Sequence, residues 1–334
     1  MSRTFGSTEL PEEIERTLRR AVRLEWLSIA FLVTAVTTVY LVMGSSQAMK
    51  AAWAEDLLSF IPPIAFLVAV RVTRLRPSRR RPYGFHRSVG IGHLASALAL
   101  LTMGAFLVWD STTGLLAQDH PPVGLVVILG HEIWAGWLMI AAMVYTGIPP
   151  VLLGRAKMPL ARELHDRVLY ADADMNKADW MTALGSIVGV LGIGAGVWWA
   201  DSAAALFISV SILRDGVRNL RVASGALMDE RAQTYDGDDP HPLQRRVEEA
   251  VREHTWVERA AVRMRDQGHV FHVEVFAVPA ADAEPGVDEL AEVRDAVADL
   301  DWKLQDVVVT AVAELPDALV EDAHRSAAEH DPDH

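Results

Sequence analysis

Long apolar runs, separated by short charged stretches, fill the first two thirds of the chain. A helix needs about 20 mostly apolar residues to cross a bilayer. Six stretches meet that length, near residues 22–44, 52–73, 89–116, 123–153, 173–199 and 202–223. Pro62 and Pro63 lie inside the second, and Pro149 and Pro150 fall near the end of the fourth. Proline removes a backbone donor, so kinks are expected there. After the polar, acidic stretch AQTYDGDDPHP the periodicity changes. Residues 243–254 and 286–300 have helical spacing. Residues 257–265, 269–278 and the run VVVTAVAEL alternate as strands, with Gln267-Gly268 as a turn between the first two. The order αββαβ predicts a small two-layer α+β domain of the ferredoxin-like kind.

The expected architecture is therefore a mainly α membrane protein. A segment over 1–21 precedes a six-helix transmembrane bundle over 22–230; a linker over 231–242 leads to the α+β domain over 243–316, and 317–334 form a disordered acidic tail bearing histidines. Charge supports the division. Residues 231–334 carry 10 Lys/Arg against 25 Asp/Glu, a net of −15, whereas residues 1–230 carry 21 against 19. That acidity excludes a nucleic-acid partner, which requires a basic footprint. Without cysteine there is neither a disulfide nor a thiolate metal site. The charged start PEEIERTLRR does not read as a cleavable signal peptide.

The connecting loops set the orientation. RTLRRAVR precedes the first span, RVTRLRPSRRRPYGFHR joins the second to the third, GRAKMPLARELHDR joins the fourth to the fifth, and RDGVRNLR closes the sixth. The opposite loops are nearly free of Arg and Lys. Positive loops stay inside, which predicts a multi-pass protein of the plasma or inner membrane with both termini cytoplasmic.

Carboxylates inside spans are costly, about 2.5–3.5 kcal/mol each on insertion scales, so each needs a partner or a function. Glu55 and Asp56 begin the second span. The fifth opens with YADADMNKADWM, and at about 100° per residue Asp172, Met175, Asn176 and Asp179 share one helix face while Asp174 points elsewhere. With Asp56 from a neighbouring helix, that face has the donors to surround a divalent cation.

Here the residues resemble a known family. ADADMNKAD and WWADSAAALFISVSILRDGVRNLRVASGALMD are similar to the fifth and sixth helices of cation diffusion facilitators. RPYGFHR, SSQAMKAAWAEDLLS and an αββαβ domain ending AELP extend the resemblance over nearly the whole chain. It implies a homodimeric exporter joined partly through cytoplasmic domains. Such a protein exchanges Zn²⁺, Mn²⁺ or Fe²⁺ for protons, with the ion held between helices two and five, and it is neither an enzyme nor a carrier of a resident cofactor. Two positions depart from the family pattern: Phe60 stands where a second carboxylate is expected, and Met175 where a histidine is. Asp56 and Asp179 are retained, and Glu55, Ser59, Asp172 and Asn176 are the substitutes at hand. A set of Asp, Asn and Met suits Mn²⁺ or Fe²⁺ better than tetrahedral Zn²⁺.

Structural readings stand beside these. Asp172 also fits a helix cap, Met175 packing, Asn176 a bridge between helices, and Asp201 the N-cap of the sixth span. His93 reads as a packing histidine. His131-Glu132 lacks the second histidine of a zinc protease motif, position 135 being alanine. His269 and His272, three apart at a strand start, point to opposite faces. A non-transporting, metal-sensing or scaffold protein on the same fold is the alternative function.

Overall fold

The computed structural model describes residues 11–73, 75, 78–80, 85, 87–118, 123–128, 130–234, 239–267, 270–317 and 319. Most of RPYGFHR, the middle of the acidic linker, Gly268, His269 and nearly all of the tail lie outside them. The chain divides into two compact units, one of Glu13–Arg71 and Val89–Ser224, the other comprising Met1–Glu12, Val72–Ser88 and Gly225–His334.

The first unit is helical. Its α1 spans Glu12–Val42, so the charged segment before the first apolar run continues the same helix instead of standing apart from it. The second apolar run is divided into α2 (Gln47–Leu58) and α3 (Ile61–Thr73). Pro62 and Pro63 offer no N–H to the carbonyls of Leu58 and Ser59, and the helix breaks one turn before them, at Ser59 and Phe60. Helix α4 covers Ser88–Leu116.

The fourth run differs from expectation. Its first part is a hairpin of β1 (Leu125–Ile128) and β2 (His131–Trp134), turned at Gly130 with φ +84°. Val126, Val127, Ile128 and Ile133 are β-branched and favour strands, and only glycine takes that φ without strain. The helix α5 begins at Ala135 and runs through Pro149, Pro150 and Pro159 to Leu164, well beyond the expected end at 153. His131 and Glu132 thus lie in a strand and not in a span. The expected loop before the fifth span shrinks to two residues: His165 closes α5 in the left-handed region, and Asp166 caps α6 (Arg167–Gly194) by accepting from the Leu169 amide. Helix α7 follows over Ala200–Leu227.

Among the described residues, four helical stretches, Glu12–Val42, Gln47–Thr73, Ser88–Leu116 and Ala135–Leu164, are long and apolar enough to cross a membrane. The 28-residue α6 and α7 carry more charge, including Asp172, Asp174 and Asp179 in one and Asp201, Arg214, Asp215 and Arg218 in the other. Close helix contacts rest on small residues. A side chain at Gly104 would come within 2.8 Å of the Leu213 backbone, and one at Gly216 within 2.7 Å of the Leu101 amide nitrogen, so α4 and α7 each need glycine where they meet.

In the second unit the expected order holds. Helix α8 (Leu243–Arg252), β3 (Val257–Asp266), β4 (Phe271–Pro279), α9 (Val287–Leu300) and β5 (Leu304–Ala311) follow in turn. The last strand starts three residues earlier than its sequence pattern suggested. The sheet order is β3-β4-β5, with β3 and β4 antiparallel and β4 and β5 parallel. Alternation along the strands turns Val262, Met264, Phe271, Val273, Val275, Leu304 and Val307 toward Val247 and Val251 of α8 and Val293 and Val297 of α9. That is one apolar core between a sheet and two helices.

Candidate metal site and its buried charges

Helices α2, α6 and α7 bring the candidate residues together, and their contacts fix the register. Asp201 lies within the first turn of α7 and not at the expected N-cap position, and its carboxylate serves another helix. It accepts from the Ser46 hydroxyl at 2.6 Å and from the amides of Gln47 and Ala48, so it caps α2 from a neighbouring helix. Ser186 of α6 donates to the Ala48 carbonyl at 3.5 Å. Ala48, Ala51, Ala54 and Leu58 of α2 pack with Ala204, Ala205, Ile208 and Ile212 of α7, and Met175 lies against this cluster. Near its start α2 meets the later turns of α6, and near its end the earlier ones, so the two helices run antiparallel.

That register brings Asp56 and Glu55 within electrostatic range of Asp179. The charge of Asp179 acts on Asp56, and that of Glu55 acts on Asp179. Glu55 accepts from the Thr182 hydroxyl, one turn along α6. One carboxylate oxygen of Glu55 and one of Asp56 are sealed from solvent and accept no hydrogen bond among the described residues. Burying such an oxygen unpaired is costly, so these atoms are free acceptors facing a like-charged neighbour. Among the described residues, no three His, Asp or Glu side chains gather closely enough to hold an ion by themselves.

The other candidates on α6 have protein partners. Asn176 donates its amide to the Asp172 carbonyl at 2.7 Å, which leaves its side-chain oxygen for other use. Met175 is half-buried in the apolar packing already described. Asp172 is buried and ion-paired to Lys157 of α5, which also donates to Glu25 of α1 at 2.9 Å. Lys157 and Glu25 are fully buried, and the second oxygen of Glu25 accepts no hydrogen bond among the described residues. Sequence reasoning missed this triad because Lys157 falls in a stretch read as a connecting loop. The available signal was Glu25, a carboxylate inside the first apolar run. A further carboxylate, Asp215 of α7, acts electrostatically on Glu55. His93 takes the packing role expected of it, its Nε2 lying 3.0 Å from Asn219 Oδ1 of α7.

The second unit has a polar cluster on the sheet face away from its core. His272 is buried, with Nδ1 on Asp306 of β5 and Nε2 3.2 Å from Glu274. The Asp306 hydrogen bond outweighs burial and holds the imidazole above its usual range. Burial opposes ionisation of Glu274, yet hydrogen bonds from Arg263 and His272 hold its carboxyl below the usual range. Asp229 pairs with both Arg87 and Arg265.

Helices with apolar exteriors and carboxylates turned inward define a multi-pass membrane protein that handles cations. Residues 25–228, more than half of the chain, match the family described as the cation efflux transmembrane domain. The chain belongs to the cation diffusion facilitator family of metal cation transporters, and is a transporter and not an enzyme. It is 21% identical over 253 residues to the manganese efflux system protein MneS of Bacillus subtilis, covering 74% of this chain and 80% of that protein. It is 23% identical over 241 residues to the mitochondrial metal transporter 1 of Saccharomyces cerevisiae, covering 67% of this chain and 46% of that protein. An uncharacterized transporter of Methanocaldococcus jannaschii is 22% identical over 160 residues, 48% of this chain and 52% of that one.

Proposed function

We propose that this protein exports divalent metal ions in exchange for protons, holding the ion between the second and fifth membrane helices. Asp56 and Asp179 are the principal ligands, with Glu55 beside them and the Asn176 oxygen and Met175 sulfur on the same face of α6. The observation that carries the reading is the pair of sealed, unsatisfied carboxylate oxygens on Glu55 and Asp56, opposite Asp179. A dication entering there satisfies the orphaned acceptors and removes the repulsion. Protonation of the same carboxylates releases it, so metal and proton compete for one set of oxygens.

An oxygen-rich set favours Mn²⁺ or Fe²⁺ over Zn²⁺, in keeping with the manganese named for the Bacillus relative. In this reading α6 and α7 complete six spans, an assignment supported by outward-facing Leu184, Val188, Phe207 and Val210. Both termini are cytoplasmic in the inner or plasma membrane, and a homodimer forms partly through the C-terminal domains.

The test is Mn²⁺ uptake into proteoliposomes with a pH indicator inside. Asp179→Ala is expected to lower uptake at least about 100-fold, beyond the 10–100-fold typical of losing a supporting residue. Wild-type uptake and proton counter-flow in that variant overturn the site. The absence of a three-ligand cluster among the described residues favours a second reading, a metal-sensing or scaffold protein without transport. Wild-type chain that binds Mn²⁺ and moves none, with no proton release, decides for it.

A further inference from the structure

The Glu25–Lys157–Asp172 triad has no part in the ion site just proposed, although it shares a helix face with it. Asp172 and Asp179 are seven residues apart on α6, two turns, which is about 10 Å along one face. Left free, Asp172 would be a carboxylate on the route to Asp179, with Glu25 of α1 close behind it. Instead both are held by one buried ammonium, Glu25 at 2.9 Å from Lys157 Nζ and Asp172 in direct contact with the same atom. Three helices contribute one group each. Asp166 adds its charge near Glu25, and Thr17 of α1 donates to Glu163 of α5 at 2.8 Å. The triad has two carboxylates and one fixed cation. Without Lys157, Glu25 and Asp172 would be two facing carboxylates, the charge complement of a dication. The charges of Lys157 and Asp172 also act on Asp179.

We propose that Lys157 is an internal counter-cation. It occupies Asp172 and so confines the transported ion to the Asp56–Asp179 site. Lys157 is then a positioning residue that sets how many ions the membrane unit holds and how tightly, and Asp172 acts on the ion through its field instead of as a ligand. The inference rests on the reading of Asp56 and Asp179 as the transport site.

The test uses the full chain in lipid nanodiscs titrated with Mn²⁺, together with proteoliposome uptake. Wild type is expected to bind one ion per chain. Lys157→Met is expected to bind two, the second between Glu25 and Asp172, with KM raised about tenfold, because the bound dication puts one more positive charge than the lysine did about 10 Å from the transport site, and with a reduced maximal rate. Adding Asp172→Asn to Lys157→Met returns the count to one, and Lys157→Arg restores wild-type KM. Where Lys157→Met does not fold, Lys157→Gln keeps a neutral polar group between the two carboxylates, and the second ion and the raised KM are expected there. One ion per chain with unchanged KM in Lys157→Met, or in Lys157→Gln where that variant is used, overturns the proposal. Asp179→Asn separates the two claims. Binding that persists in this variant defeats the transport site itself. Binding lost there, with no second ion gained in Lys157→Met, defeats only the role of Lys157.

Discussion

The two units solve opposite packing problems. In the C-terminal unit, Phe271, Val273 and Leu304 are buried between sheet and helices, while Arg263 and Glu274 sit on the open face. In the helical unit, Phe106 is 60% exposed, Trp109 72% and Leu116 79%, while Glu25, Lys157, Ser186 and Asp201 are buried. The core between sheet and helices is apolar, whereas the helical interior also holds charged groups. The solvent accounts for the difference: water rewards an apolar core, whereas lipid offers no such reward, and helices in lipid associate through small residues and polar contacts.

Three substitutions sharpen that contrast, in order of decreasing effect. Phe271→Ala removes a fully buried ring from the C-terminal core and should cost about 3–5 kcal/mol, read as a lowered urea midpoint for that domain. If the midpoint holds, the core is not where its stability lies. Phe106→Arg places a charge on the outer face of α4 near its middle and should cost about 2.5–3.5 kcal/mol of membrane insertion. Val287→Arg, at an 83% exposed position of the C-terminal unit, should shift stability by no more than about 0.5 kcal/mol. Equal yields of folded protein from these last two would abolish the distinction between the surfaces.

The smallest effect belongs to the buried polar cluster of the C-terminal unit. Because the folded pKa of His272 is raised above its ordinary 6.5, the stabilisation from its charged form is complete below about pH 6.5 and is lost as pH rises through the folded value. Amide protection along β4 and β5 should fall as pH rises above about 6.5 once intrinsic exchange is corrected for, and His272→Gln should flatten that dependence. A slope that survives the substitution assigns the effect to another group.

Local pattern was enough for the αββαβ order, because each strand and helix of that domain carries its own period and one face toward a single core. It was also enough for the family, because ADADMNKAD and the following helix are contiguous motifs. Boundaries set by distant partners were harder to read. Residues 125–134 are apolar enough for a span, yet Gly130 and β-branched neighbours fold them as a hairpin. GRAKMPLARELHDR looks like a loop by its charges, yet most of it lies inside α5, with Lys157 turned onto Glu25 and Asp172.

The sequence by itself determined which residues avoid water, where carboxylates interrupt apolar runs, and that Asp172, Met175, Asn176 and Asp179 share a face. Those are properties of composition and helical period, and each lies within a few residues of chain. Only the tertiary structure decided that the charge of Asp179 bears on Asp56, that Asp201 caps a helix about 150 residues earlier, and that Asp172 is already paired with a lysine. Such pairings depend on how helices cross, and no one-dimensional pattern specifies which buried charge meets which.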